Sequence, residues 1–141
     1  MIPVLGGGLM ERRRNHSKKR DAILNTIRST KSHPSAEWVF EQLKEDFPNL
    51  SLGTVYRNIA EFKAAGEVMS VAVVNGIDRI DGDTSPHEHF VCTACGAVED
   101  LDLRLQEKNL SEQISERCGA QAMRIHLTAY GLCRCCLKKT N

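Results

Sequence analysis

The fold of the first half of this chain is indicated most clearly by one stretch, Ser51-Leu-Gly-Thr-Val-Tyr-Arg-Asn-Ile-Ala-Glu-Phe-Lys-Ala64. Its serine is a favoured first residue of a helix, because the hydroxyl can accept a hydrogen bond from an N–H group of the first turn. Apolar side chains recur at the helical spacing and form one stripe, which consists of Leu52, Val55, Ile59 and Phe62. The opposite side presents Thr54, Arg57, Asn58 and Lys63. The pattern predicts an amphipathic helix of about 14 residues.

A hairpin is predicted directly after this helix, because Asn75-Gly76 separates two β-prone runs, residues 68–74 and Ile77–Asp81. Upstream, Ser17 is suited to cap a first helix and Ser35 a second one. The buried side of the second helix is predicted to carry Trp38, Val39, Phe40 and Leu43. Three helices followed by a hairpin is the order of a winged helix-turn-helix domain.

A second domain is predicted after the hydrophilic segment at residues 82–86, which is interpreted as a linker. The patterns favour a small α/β domain over residues 87–141, with strands near 89–92, 98–101 and 120–129 and a helix around 106–117. The predicted fold class is therefore α+β. The winged helix is assigned to residues 17–81, and residues 1–16 are expected to be a disordered basic extension.

The composition is that of an ordinary globular protein, with 41% hydrophobic and 26% charged residues among 141. Two cores of roughly 65 residues each are small, and such cores usually depend on a metal, a disulfide or a partner subunit. Residues 1–72 carry 11 Lys and Arg against 8 Asp and Glu, which is compatible with a polyanionic partner. Neither a signal peptide nor a membrane span is recognised, so a cytoplasmic protein is expected.

Four of the six cysteines form two C-x-x-C motifs, Cys92-Thr-Ala-Cys95 and Cys133-Arg-Cys-Cys136. Each motif can direct two thiolates at one ion, so the pair predicts a closed, structural Zn²⁺ site. Disulfide exchange is the alternative, which the missing export signal disfavours. Cys135 is expected to point away from the zinc, and Cys118 to be a small buried residue rather than a ligand.

A second candidate metal site begins with His87-Glu-His89, because side chains at positions i and i+2 of a strand lie on the same face. Asp81, Asp100 and His33 are further candidate ligands. Nitrogen and oxygen donors suit Fe²⁺ or Mn²⁺ at least as well as Zn²⁺. From the residues alone, solvated histidines on a loop are an open alternative.

The start of the third helix is the candidate DNA-contacting surface, because this end of a winged-helix recognition helix enters the major groove. Arginine can bind guanine and asparagine adenine, while hydroxyl groups reach phosphates. The basic clusters at residues 12–14 and 18–20 could add non-specific phosphate contacts. A solvated face is the alternative interpretation, and the tyrosine could equally pack against the hairpin. The candidate contacts are Ser51, Thr54, Tyr56, Arg57 and Asn58.

Four motifs together resemble the ferric uptake regulator (Fur) superfamily over residues 17–139. They are His33-Pro-Ser-Ala-Glu37, Pro48-Asn-Leu-Ser-Leu-Gly-Thr-Val-Tyr-Arg-Asn58, His87-Glu-His-Phe-Val-Cys-Thr-Ala-Cys-Gly96 and Tyr130-Gly-Leu-Cys133. The chain looks most like the peroxide-responsive branch (PerR), because aspartates stand at positions 81 and 100, where the iron-sensing branch typically has glutamate.

The resemblance implies a homodimeric, metal-dependent repressor rather than an enzyme, with residues 87–141 as its dimerisation and metal-binding domain. It implies structural Zn²⁺ at Cys92, Cys95, Cys133 and Cys136, and regulatory Fe²⁺ or Mn²⁺ at His33, Asp81, His87, His89 and Asp100. An ion held by both domains would couple metal binding to the binding of a palindromic DNA operator.

The peroxide-responsive branch also implies a sensing reaction. In those repressors, bound Fe²⁺ reacts with H₂O₂, histidine ligands are oxidised and the repressor leaves DNA. The residues that correspond to the oxidised ligands are His33 and His87. The expected targets are genes of peroxide stress and metal homeostasis.

The chain departs from the family pattern at three places. Ser17-Lys-Lys-Arg20 replaces the frequent Thr-Pro-Gln-Arg, and Cys135 adds a thiol inside the second C-x-x-C motif. Ile125 stands where some members have a histidine, and His126 is expected to face the other side of its strand, so no third metal site is assigned. Three alternative functions stay open: an iron- or zinc-responsive repressor, a non-heme iron enzyme, and a passive zinc-binding interaction module.

Overall fold

The computed structural model describes residues 7–103 and 107–140 and divides into two compact units, with the boundary between Thr84 and Ser85. The first, called the winged-helix unit, contains α1 (Gly7–Arg28), α2 (Ala36–Leu43), α3 (Leu52–Ala64), β1 (Met69–Val74) and β2 (Ile77–Asp81). The second, called the sheet unit, contains β3 (Glu88–Cys92), β4 (Val98–Leu101), α4 (Glu107–Cys118), β5 (Thr128–Gly131) and α5 (Arg134–Lys139). The α+β class is confirmed, while the linker limits at residues 82–86 stay a prediction.

None of the helices within the described ranges combines the length and the apolar character that crossing a membrane requires.

Serine side chains start α2 and α3, as the sequence predicts. Ser35 Oγ accepts a hydrogen bond from the Trp38 N–H, and Ser51 Oγ accepts one from the Thr54 N–H, both at 3.1 Å. Gly66 follows α3 with a φ of 73°, a left-handed conformation that glycine adopts without a steric penalty. Local chemistry therefore sets both ends of α3.

Helix α1 begins at Gly7, well before the predicted cap at Ser17. Residues 7–16 are helical, so the predicted disorder of residues 1–16 is wrong for that part, and residues 1–6 lie outside the described residues. Neither proline nor glycine occurs in residues 9–28, and most of these residues favour helices. Nothing in the sequence therefore stops the helix at Ser17.

The core of the winged-helix unit joins its three helices to β2. Each of its most buried side chains contributes about 1.5–3 kcal/mol relative to exposure. Trp38, predicted to be buried, is 37% exposed, because its position is about 100° around the helix from Val39. The side chains with at most 3% exposure are Ile23, Ile27, Val39, Val55, Ile59, Phe62, Val68 and Ile80.

The predicted hairpin is present, with β1 and β2 antiparallel and Val74 opposite Ile77. Asn75 and Gly76 have φ values of 53° and 77°, which match the positive values that a two-residue type I′ turn requires. Ile80 lies in the core at 1% exposure, so strand β2 fixes the hairpin to the helices.

The sheet unit contains a three-stranded sheet in the order β4-β3-β5. Strand β3 pairs antiparallel with β4 and parallel with β5, and His89 lies opposite Asp100 in the first pairing and Thr128 in the second. The predicted strand near residues 120–129 is wrong for most of its length, because the strand begins only at Thr128, where pairing with β3 becomes available. The predicted helix around residues 106–117 is present as α4, and residue 106 lies outside the described part.

Candidate functional site

The first candidate metal centre, in the sheet unit, consists of the four predicted zinc cysteines. One sulfur atom each from Cys92, Cys95, Cys133 and Cys136 lies within 4.8 Å of the other three. The turn of the first motif is closed by a hydrogen bond of 3.0 Å from the Gly96 N–H to the Cys92 carbonyl. Gly96 has a φ of 76°, so a residue without a side chain is suited to this tight turn.

The second motif stands at the start of α5. Cys133 caps this helix and accepts the Cys136 N–H at its sulfur at 3.5 Å, while its own N–H donates to Cys92 Sγ at 3.3 Å. This donation from Cys133 lowers the pKa of Cys92 to about 6, whereas the side-chain hydrogen bond with Cys133 raises the pKa of Cys136 to about 12. Four thiolates can share so small a volume only when a cation compensates their charge.

The donors therefore fit a structural zinc ion, because Zn²⁺ favours tetrahedral coordination by four thiolates from two C-x-x-C turns. The remaining two cysteines, Cys118 and Cys135, are exposed. The prediction that Cys118 is buried is wrong, since it ends α4 and its thiol donates to the Ile114 carbonyl at 3.1 Å.

Two of the five predicted regulatory ligands lie in the winged-helix unit. His33 Nε2 is 3.2 Å from Asp81 Oδ2, and both side chains are buried, with His33 only 2% exposed. The other oxygen of Asp81 accepts the Asp83 N–H at 2.8 Å, which fixes the carboxylate. An imidazole and a carboxylate held together in a buried position are a typical pair of ligands for a divalent ion.

The other three predicted ligands gather in the sheet unit. His87 Nε2 and His89 Nε2 lie 3.1 and 3.3 Å from the same oxygen, Oδ1 of Asp100. The strand register places His89 directly opposite Asp100, and His87, just before β3 begins, reaches the same oxygen. The two imidazole centroids are 4.4 Å apart. Two nitrogens and one oxygen therefore converge within this unit alone.

The backbone also sets the orientation of the His87 ring. Its Nδ1 is 2.7 Å from the Ser85 carbonyl oxygen and its Nε2 is 3.1 Å from Asp100 Oδ1, and both oxygens are acceptors; when a cation lies between Nε2 and Asp100, the ring proton belongs on Nδ1. That tautomer leaves a lone pair on Nε2, the atom beside Asp100. Hydrogen bonds of this kind orient histidines that ligate metals.

The predicted DNA-contacting residues have different environments. Ser51 and Arg57 are exposed, Thr54 is half-buried, and Tyr56 is 48% exposed. Asn58 was expected on the same face but is only 3% exposed, and its amide donates to the Thr54 carbonyl at 2.8 Å. The prediction of an exposed Asn58 is wrong, because α3 is covered on that side of its apolar stripe by the rest of the unit.

Sequence analysis missed two acidic residues that bind side chains of α3. Tyr56 donates a hydrogen bond to Glu37, and Lys63 forms an ion pair with Asp78. The first contact lowers the pKa of Glu37 and raises the pKa of Tyr56. The partners are 19 and 15 residues apart, so local periodicity carries no signal for these contacts.

Comparison with known proteins agrees with the motifs. The model of the ferric uptake regulator family matches residues 12–130. The peroxide-responsive repressor PerR of Staphylococcus aureus is 31% identical over 122 residues, which cover 86% of this chain and 81% of that protein. The crystal structure of the Campylobacter jejuni peroxide stress regulator has a TM-score of 0.75 at 26% identity, and the alignment covers 96% of this chain and 100% of that one. The ferric uptake regulator of Francisella tularensis with iron has a TM-score of 0.71 at 27% identity, covering 84% and 90%.

Together with these relatives, the winged helix and the clustered cysteines and histidines identify the chain as a metal-responsive transcriptional regulator. The chain belongs to the ferric uptake regulator family, and the resemblance seen in its motifs is confirmed. The members of this family to which the chain is similar are regulators and repressors.

Proposed function

We propose that this protein is a homodimeric, cytoplasmic repressor that holds structural Zn²⁺ and binds a palindromic operator when Fe²⁺ or Mn²⁺ is bound. Peroxide oxidises the iron-loaded form and releases it from DNA. The observation that carries the proposal is the convergence of His87 and His89 on one oxygen of Asp100. Three nitrogen and oxygen donors at one point support a divalent-metal sensor. The aspartate at this position, where the iron-sensing branch typically has glutamate, is the feature that the resemblance links to the peroxide-responsive branch.

The zinc site supports this account through the stability of the sheet unit. The apolar core described above belongs to the winged-helix unit, whereas few of the described residues of the sheet unit are buried, among them Cys92 and Cys136. A structural zinc ion on four thiolates contributes on the order of 10 kcal/mol to folding. In this proposal Cys92, Cys95, Cys133 and Cys136 therefore hold the unit together.

The regulatory ion is proposed to take ligands from both units: His33 and Asp81 from the first, and His87, His89 and Asp100 from the second. The winged-helix unit offers two of these donors and the sheet unit three, and Fe²⁺ and Mn²⁺ commonly take five or six. An ion that needs both sets favours one arrangement of the units over others, which is how metal binding changes affinity for DNA.

DNA binding is assigned to the exposed start of α3. Ser51, Thr54, Tyr56 and Arg57 offer hydroxyl and guanidinium groups there, and Arg57 Nη2 is held by Thr54 Oγ1 at 3.2 Å. Such groups bind phosphates and guanine edges. Asn58 is no longer included among the base contacts, since its side chain is buried.

Dimerisation is assigned to the sheet unit, which exposes large apolar side chains. Isolated apolar residues are normal on a surface, but several in one small unit favour an interface. The exposed fractions are 93% for Met123, 63% for Tyr130, 50% for Leu137 and 49% for Leu103. A two-fold dimer would present two recognition helices to a palindrome.

Peroxide sensing is assigned to His33 and His87. Iron held at this site would provide the one-electron chemistry that cleaves the O–O bond of H₂O₂, while the imidazole is the net electron donor, so the iron ends as Fe²⁺. In the net reaction one peroxide oxygen is added to an imidazole carbon, the other leaves as water, and the imidazole loses two electrons. The oxidised ring is a poorer ligand, so the metal-dependent affinity for DNA is lost.

The test uses zinc-replete protein loaded anaerobically with either Fe²⁺ or Mn²⁺, and a palindromic duplex selected from random DNA with the Mn²⁺ form. Operator affinity and peptide masses are measured before and after stoichiometric H₂O₂. We expect release of DNA and one added oxygen on the His33 or His87 peptide for the iron form alone. His126, which is exposed and outside both candidate centres, is the internal control and should stay unmodified.

Unchanged masses and unchanged operator affinity in the iron form would contradict peroxide sensing. Metal-dependent DNA binding without oxidation would then indicate the iron- or zinc-responsive alternative.

A further inference from the structure

His33 is held in a backbone conformation that residues with a side chain rarely adopt. Its φ is 54°, and it is one of two non-glycine residues with positive φ in the described part of the chain. The other, Asn75, lies in a tight turn; asparagine and histidine both adopt this conformation more often than other residues with a side chain, but it stays uncommon for either. Such a conformation persists only where the surroundings enforce it, and it often marks a functional position.

Arg79 on strand β2 makes the contacts that enforce it. Its Nε–H donates to the His33 carbonyl at 2.5 Å, and its Nη2–H donates to the Ser32 carbonyl at 2.6 Å. One planar guanidinium thus binds two consecutive peptide groups across a sequence separation of more than forty residues. The fixed fork of arginine suits this arrangement, and the point charge of lysine does not reproduce it.

The next two residues of β2 bind the same loop. The Ile80 N–H donates to the Pro34 carbonyl at 3.0 Å, and the Asp81 carboxylate contacts the His33 imidazole. Arg79 and Asp81 are two positions apart on the strand and therefore lie on the same face. One residue of this face holds the His33 backbone, and the other contacts its side chain.

We propose that Arg79 is a positioning residue for the regulatory metal: it fixes the left-handed conformation of His33 and so places the imidazole beside Asp81. This inference rests on the proposed function, because it takes His33 and Asp81 as ligands. Without the guanidinium, the peptide groups of Ser32 and His33 lose their shared donor and the His33 backbone relaxes to a negative φ. The imidazole then leaves its position before the ion arrives.

The expected effect is a loss of regulatory metal affinity without loss of zinc. Substituting a residue that orients a metal ligand typically lowers metal affinity by about 10- to 100-fold. The zinc cysteines belong to the sheet unit, whereas Arg79 belongs to the winged-helix unit, so zinc content should not change. A residue with only a general structural role would instead lower stability and leave the affinity of the folded protein for Mn²⁺ unchanged.

The experiment measures Mn²⁺ affinity by titration of zinc-replete protein in the wild type, Arg79→Gln, Arg79→Lys, His33→Ala and the double variant Arg79→Gln/His33→Ala. Arg28→Gln is the matched control, since it removes an exposed arginine of the same unit that also donates to a backbone carbonyl, that of Glu67. We expect Arg79→Gln to weaken Mn²⁺ binding by about 10-fold or more and Arg79→Lys to weaken it less. In the His33→Ala background, Arg79→Gln should have no further effect, because both substitutions remove the same ligand.

Three results would overturn the inference. Wild-type affinity in Arg79→Gln would show that the guanidinium does not position the ligand. Additive losses in the double variant would show that Arg79 acts on something other than His33. If Arg79→Gln does not fold, the Mn²⁺ affinity of Arg79→Lys is the test, and wild-type affinity in that variant contradicts the inference. Unchanged affinity in His33→Ala would instead refute the proposed regulatory site itself.

Discussion

The phenol of Tyr56 donates a hydrogen bond to the carboxylate of Glu37, and this bond joins α3 to the start of α2. Both groups are largely exposed, so the bond lies on the surface that would face DNA. A carboxylate at this place orients the tyrosine and also repels phosphates. The net effect on DNA binding can be measured.

Glu37→Gln is expected to raise operator affinity by about 3- to 10-fold at low salt, because it removes a negative charge beside Tyr56 and keeps a hydrogen-bond acceptor. Glu45→Gln, which removes an exposed carboxylate beyond the end of α2, should change affinity by less than about 2-fold. Gel-shift titrations at two salt concentrations measure both. Equal changes in the two variants would contradict a specific effect of Glu37.

The pH dependence of this effect follows from the lowered pKa of Glu37. The hydrogen bond from Tyr56 holds the pKa below its ordinary value of 4.5, so the carboxylate stays charged at neutral pH. The stabilisation from this bond is therefore fully present above the unfolded value and is lost only as pH falls through the lower folded value. The gain in operator affinity caused by Glu37→Gln should be equal at about pH 6 and about pH 8. A gain that disappears at the lower pH would contradict the lowered pKa of Glu37.

Cys95→Ser and Cys135→Ser provide a matched test of the zinc centre. Cys95 Sγ lies 3.8 Å from Cys133 Sγ inside the cluster, whereas Cys135 is exposed and outside it. We expect Cys135→Ser to retain about one zinc per chain and Cys95→Ser to lose both the zinc and the cooperative unfolding of the sheet unit. Metal analysis and thermal melting measure these properties. Full zinc content in Cys95→Ser would contradict the four-cysteine assignment.

Gly82, the residue after Asp81, lies against the end of α1. A β-carbon at Gly82 would come within 2.8 Å of Arg28 Cγ and 3.1 Å of Arg28 Cα, so Gly82→Ala must displace backbone. We expect it to lower the free energy of unfolding by about 1–3 kcal/mol. Gly53→Ala is the control: its nearest neighbour atom is 3.9 Å away, and alanine inside a helix should add up to about 1 kcal/mol. Equal free energies of unfolding for Gly82→Ala and Gly53→Ala would contradict the close approach of Gly82 to Arg28.

Features governed by local chemistry were predictable from the sequence. Ser35 and Ser51 cap helices wherever the following residues are helical, and Asn75-Gly76 defines its turn through backbone conformation alone. The C-x-x-C spacing likewise brings two sulfurs together within one turn.

Features that depend on distant neighbours were not predictable. Burial of Asn58 and exposure of Trp38 depend on which neighbouring elements cover the edges of each helix. The left-handed His33 depends on Arg79, which no pattern around position 33 indicates. For the same reason the strand near residue 128 could not be bounded without its partner β3.

In the proposed function, one regulatory ion requires ligands from both units. Mn²⁺ stoichiometry and Mn²⁺-dependent operator affinity of zinc-replete Asp81→Asn and Asp100→Asn test it most directly, since one residue lies in each unit. We expect one regulatory Mn²⁺ per chain in the wild type and loss of both Mn²⁺ binding and operator binding in either variant. If Asp81→Asn bound Mn²⁺ and the operator like the wild type, the winged-helix unit would supply no essential ligand and the proposed coupling would be refuted.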